Sequence, residues 1–161
     1  MVDIEPINES HVLSAGLPAP SFSLQNFDGN EISLASLLHG GLVLLYFCTH
    51  VGDPGVTDEI RQLTEYQSRF SKLGITPAII SKDSPSVHQK FAKKFNTGLY
   101  MLTDNDFRTS QLYGVHNASG LNSRVAFILS KDGEVVRVFD AVRMRPFFGE
   151  IYQNIRQTIV P

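Results

Sequence analysis

The chain has 161 residues, of which 42% are hydrophobic and 19% charged, enough for one domain that buries roughly 70% of its unfolded surface. A formal net charge of -2 with mixed signs leaves no basic face for nucleic acid and no polybasic membrane anchor. The longest apolar run, residues 42–48, is far shorter than the roughly 20 residues that span a bilayer. A single cysteine, Cys48, excludes an internal disulfide and a thiolate metal cluster. The start Met1-Val2-Asp3-Ile4-Glu5-Pro6 is acidic and lacks the parts of a signal peptide, so a cytoplasmic protein is expected.

Residues 1–16 read as a polar lead-in and residues 17–161 as one domain. Phe22-Ser23-Leu24 alternates, Asp28-Gly29-Asn30 turns, and Ile32-Ser33-Leu34 leaves, which predicts a hairpin. Leu42-Val43-Leu44-Leu45-Tyr46-Phe47 is apolar on both faces, as a central strand is. Asp53 as N-cap, Pro54 at the first helical position, and Asp58 and Glu59 in or near the first turns open a helix. Ile60, Leu63 and Phe70 continue its apolar stripe.

Residues 75–80 form a second buried strand. A helix capped by Ser84 follows, with Val87, Phe91 and Phe95 on its apolar side. Tyr100-Met101-Leu102 is a short strand, and residues 107–113 a short helix stopped by Gly114. Strands at 125–129 and 135–139 flank the turn Lys131-Asp132-Gly133. Phe148, Ile151, Tyr152, Ile155 and Ile159 mark a final helix. A hairpin followed by β-α-β-α-β-α-β-β-α favours an α/β sheet with helices on both faces.

Local chemistry is sparse. Cys48 closes a strand rather than heading a helix, so no helix N-terminus activates it, and a buried inert thiol is the simplest reading. The five histidines, His11, His39, His50, His88 and His116, lack metal-ligand spacing, so neither a metal nor a cofactor is expected. Lys93-Lys94 reads as a solvated face, and the Phe147-Phe148 pair as part of the last helix's packing with one ring partly exposed. Gly40-Gly41 is a turn with no phosphate-loop lysine.

Several blocks carry a family resemblance: Ala19-Pro20-Ser21-Phe22-Ser23-Leu24 with Asp28-Gly29; Leu44-Leu45-Tyr46-Phe47; Pro54-Gly55-Val56-Thr57; and Ser81-Lys82-Asp83-Ser84. Further on come Phe91-Ala92-Lys93-Lys94-Phe95, Leu102-Thr103-Asp104, Tyr113-Gly114-Val115, and Arg124-Val125-Ala126-Phe127-Ile128-Leu129 with Asp132-Gly133. Ordered across residues 17–157, they make the chain resemble the peroxiredoxins of the alkyl hydroperoxide reductase/thiol-specific antioxidant family, closest to the bacterioferritin comigratory protein type. The resemblance implies a thioredoxin fold with an N-terminal hairpin extension. It also implies peroxide reduction, in which a thiolate attacks the peroxide oxygen, becomes a sulfenic acid and is resolved by a second thiol.

The family pattern Pro-x-x-x-Thr-x-x-Cys falls here on Thr49, Asp53 and Val56, and the common helical resolving position on Arg61; only the family's arginine is kept, as Arg124. Valine supplies no nucleophile, and a carboxylate at 53 would raise the pKa of any thiol at 56. Asp53 is expected either to cap the helix or to pair with Arg124, whose buried guanidinium needs a partner. Three functions follow from the resemblance and the departures from it. They are a binding or regulatory protein without peroxidase activity; a thiol oxidoreductase using Cys48 with thioredoxin or glutathione; and anion or small-molecule binding in a pocket of Thr49, Asp53 and Arg124. The resemblance also brings in a homodimer and a thioredoxin-like or other protein partner.

Overall fold

A computed structural model describes residues 12–141, 143–144 and 146–158. Seven strands form one sheet in the order β2-β1-β5-β4-β3-β6-β7. The hairpin is β1 (Ser23–Gln25) and β2 (Glu31–Ser33), followed by a one-turn helix α1 (Leu34–Leu38). The central strands β3 (Leu42–Phe47), β4 (Ile75–Ser81) and β5 (Tyr100–Thr103) run parallel, linked by α2 (Pro54–Lys72) and α3 (Pro85–Phe95). After α4 (Arg108–Leu112) the chain adds β6 (Val125–Leu129) antiparallel to β3, then β7 (Val135–Asp140), and closes with α5 (Phe147–Thr158). The α/β fold expected from the sequence is the one observed.

The doubly apolar β3 explains the layering, because successive side chains of a strand point to opposite faces. Leu44, Tyr46 and Cys48 face a core shared with Ile60, Leu63 and Phe70 of α2 and Phe148, Ile151 and Ile155 of α5. Val43, Leu45 and Phe47 face a second core with Leu34, Leu37 and Tyr113. The sheet is thus buried on both sides and delivers the carboxyl end of β3 to the start of α2. Gly41 opens β3 where no side chain fits: its φ is +132°, and a Cβ would lie 2.6 Å from the Gly74 carbonyl.

Four details differ from the sequence-based expectations. Ser33 pairs with Ser23 in the hairpin as expected but also caps α1, a helix not expected from the sequence, by accepting from Ser36 N. On α3 the buried face is His88, Phe91 and Ala92, while Val87 is 42% exposed. Phe147 and Phe148 are both buried, against Tyr46 and α2. Of the expected lead-in, residues 1–11 lie outside the described residues, whereas Leu13 N donates to the Tyr113 carbonyl at 3.1 Å and Gly16 N to the Val135 carbonyl at 2.8 Å. Ile159 also lies outside the described residues. No helix among the described residues is long and apolar enough to cross a membrane.

Candidate functional site

The site lies where β3 hands over to α2, and polar side chains hold that junction from three directions. Asp83, just past β4, accepts from Val51 N at 2.8 Å and contacts His50 Nδ1 at 3.2 Å. Thr57 Oγ1 donates back to the Val51 carbonyl at 2.7 Å. Asn122 Nδ2 donates to the Cys48 carbonyl at 3.1 Å and to Ser110 Oγ at 2.8 Å, while its own backbone N–H donates to Thr49 Oγ1 at 2.7 Å. Thr49 is therefore buried and its hydroxyl committed to structure. Buried polar groups that are fully paired in this way fix one loop conformation.

Helix α2 begins as the sequence dictates. Asp53 occupies the N-cap with extended backbone (φ -64°, ψ 133°) and Pro54 the first helical position, but the Asp53 side chain makes no capping hydrogen bond and is exposed. Val56, in the first turn, is 3% exposed and packs in the core beside Val51. Arg124, immediately before β6, brings its guanidinium over this turn, for a Cβ on Gly55 would sit 2.7 Å from Arg124 Nη1. Glycine at 55 is what lets the cation approach the backbone so closely.

The partner of that cation is Glu59, not Asp53. Arg124 Nη1 lies 3.8 Å from Glu59 Oε2, and among the described residues no ion pair includes Asp53. The Tyr46 hydroxyl donates to the other carboxylate oxygen, Oε1, so one carboxylate links a buried phenol to the guanidinium. Burial first, then the nearby Cys48 and Glu59, push the Tyr46 phenol well above its ordinary value, which keeps it a proton donor. Glu59 lies three residues beyond Val56, hence on the same side of the helix. That spacing was the available signal for it.

Cys48 is fully buried, and its Sγ is 4.0 Å from the Ile80 carbonyl. Burial above all, then the carboxylates of Asp83, Glu59 and Asp53, push its thiol well above the usual range; Arg124 only partly opposes this. Arg61 is exposed on α2, its guanidinium 5.8 Å from the Phe95 ring centroid.

Two histidines converge on Asp83, which their sequence separation hid. His88, wholly buried on α3, places Nε2 2.7 Å from Ser81 Oγ, and Ser81 Oγ donates to Asp83 Oδ2 at 2.8 Å. With the serine proton given to Asp83, His88 Nε2 is the donor and Nδ1 the lone pair. Nδ1 has no hydrogen-bond partner, although the Met101 backbone lies close enough to favour protonation slightly. Burial dominates and lowers the His88 pKa from 6.5 to about 4. Among the described residues no group of three or more His, Cys, Asp or Glu side chains could hold a metal ion.

The model of the AhpC/TSA family matches residues 15–138, which spans all of this site. The chain belongs to the AhpC/TSA family. Within the family it is 32% identical over 146 residues to a putative peroxiredoxin bcp of Coxiella burnetii, covering 86% of this chain and 96% of that one. It is 30% identical over 135 residues to peroxiredoxin Bcp of Escherichia coli, covering 80% and 86%. Peroxidoxin BcpB of Mycobacterium tuberculosis superposes with a TM-score of 0.83 at 22% identity, covering 91% of this chain and 98% of that one, a likeness of fold. The peroxiredoxin-type thioredoxin fold of this AhpC/TSA protein is thereby established.

Proposed function

We propose that this AhpC/TSA-family protein has lost cysteine-based peroxide reduction and serves a binding or regulatory role. The observation that supports this reading is Val56, buried in the first turn of α2 with the Arg124 guanidinium over the adjacent Gly55, at the position where the family resemblance expects the attacking cysteine. Peroxide reduction needs a thiolate whose electron pair attacks oxygen, and valine has none to give. Glu59 supplies the negative charge that balances Arg124, so the arginine is accommodated without a thiolate. Natural divergence accounts for this better than a single inactivating change, since Thr49, Asp53 and Arg61 depart together with Val56. A homodimer, or a thioredoxin-like or other protein partner, belongs to this reading, as does a cytoplasmic location.

The alternative is a thiol oxidoreductase that uses Cys48 with thioredoxin or glutathione. It is favoured only by Cys48 being the chain's single thiol, and it must work against a fully buried sulfur with a raised pKa. Anion binding at Thr49, Asp53 and Arg124 finds less support still, because the first hydroxyl is committed, Asp53 is exposed and Arg124 is paired. Peroxide consumption with a thioredoxin reducing system separates these readings. The proposed function requires equal background rates for wild type and Cys48→Ser; the alternative requires wild-type turnover that Cys48→Ser abolishes.

A further inference from the structure

A groove of about 440 Å³ runs between the first turn of α2 and the outer face of α3. Its lining excludes Val56 and Arg124 but shares Val51, Pro54 and Thr57 with the junction described above, so it lies beside that site on the α3 side. Its floor and walls are apolar: Val51, Pro54, Val87, Phe91 and Phe95. This explains Val87, a valine left 42% exposed on a helix whose buried face is turned away from it.

The rim is cationic. Lys90 and Lys94 line the groove one helical turn apart on α3, a helix without an acidic residue to balance them. Lys94 Nζ lies 5.3 Å from the Phe95 ring centroid and the Arg61 guanidinium 5.8 Å from it, so two cations approach that ring. Asp58 is the one acidic side chain lining the groove. The polar Thr57 offers no free donor, its hydroxyl being given to the Val51 carbonyl.

We infer that this groove binds a small organic anion with an apolar body, a carboxylate or sulfonate whose hydrocarbon or aromatic part lies over Phe91 and Phe95 while Lys90 and Lys94 meet its charge. The inference rests on the binding role proposed above and gives it a site and a ligand class. The volume lies within the range of small-molecule sites, roughly 300 to 1,000 Å³. Apolar walls supply affinity in proportion to the area covered, and the lysines select the sign of the charge. Aromatic anions suit the site in particular, because Phe91 and Phe95, their centroids 4.6 Å apart and their planes tilted by 45°, present aromatic surface that a further ring can pack against.

The test uses two dyes that share an apolar body. Anilinonaphthalenesulfonate carries a charge and N-phenylnaphthylamine does not. Fluorescence titration of the native protein should show saturable binding of the sulfonate. The double variant Lys90→Glu/Lys94→Glu should weaken it by about tenfold or more and leave the neutral dye within about twofold. Val87→Asp, at an exposed position, should weaken both dyes. Near-ultraviolet circular dichroism checks that each variant keeps native packing, since partly folded chains also bind such dyes. No saturable sulfonate binding to the wild type overturns the inference, as does equal sulfonate affinity in the charge-reversed variant or unchanged binding of both dyes by Val87→Asp. Peroxide turnover would instead strike at the proposed function while leaving the dye result standing.

Discussion

Acidification should destabilise this protein through one buried imidazole. His88 has a folded-state pKa of about 4 against an ordinary 6.5, with burial as the leading cause. Its folded pKa is depressed, so the unfolded chain takes up the proton first as pH falls. The stabilisation is fully present above about pH 6.5 and is lost progressively down to about pH 4, below which both states are protonated. At 1.36 kcal/mol per pKa unit the full effect is about 3 kcal/mol, and about 2.5 kcal/mol of it disappears between pH 7.5 and pH 4.5. That is a large share of the roughly 5–15 kcal/mol that holds a typical domain folded. The assay is urea unfolding of wild type and His88→Gln across that range. Glutamine can still donate to Ser81 Oγ but does not titrate. The variant starts less stable, by a kcal/mol or so, but its stability should fall with acidification by about 2.5 kcal/mol less than that of the wild type. Carboxylates other than Asp83, which is linked to His88 through Ser81, contribute equally to both proteins and cancel in the comparison. Parallel pH dependences would refute the reasoning and move the acid sensitivity elsewhere.

Other expectations follow from the same geometry. Arg124→Met leaves the Glu59 carboxylate without its guanidinium and should cost about 1–3 kcal/mol in urea unfolding at neutral pH; in Glu59→Gln/Arg124→Met the two losses should sum to more than the double variant shows. Cys48 should resist a disulfide reagent in the folded protein and react at the rate of global opening, so adding urea below the transition speeds labelling steeply. Val56→Cys alone should remain a poor peroxidase, and adding Thr49→Pro and Asp53→Thr to it should raise peroxide turnover by about tenfold or more, the effect of roughly one pKa unit on the thiol.

The sheet was legible because its signals are local. The apolar run at 42–47, the Asp-Gly turns and the Asp53-Pro54 helix start each act within a few residues, and each appears where the pattern puts it. The one-turn α1 was hidden because Ser33 ends a strand and caps a helix at once. On α3, the spacing of Val87, Phe91 and Phe95 suggests a stripe, yet the buried face is rotated onto His88. The cause is non-local: Ser81, at the end of β4, offers that histidine a hydrogen bond. Arg124 posed the same difficulty. Asp53 was the conspicuous nearby carboxylate, but an N-cap residue lies at the exposed helix end, whereas Glu59 shares the inward side with Val56 and can reach the buried Tyr46 hydroxyl. Which carboxylate meets a cation is set by helix phase and depth, and these appear only once strands and helices are packed together.

The central claim, that a member of a thiol-peroxidase family has rebuilt its site around Val56, Glu59 and Arg124 and given up the reaction, is tested most directly by hydrogen peroxide consumption under a thioredoxin reducing system. The account predicts that wild type and Cys48→Ser consume peroxide at the same rate as a reaction without protein. Turnover by the wild type that disappears in Cys48→Ser would contradict it.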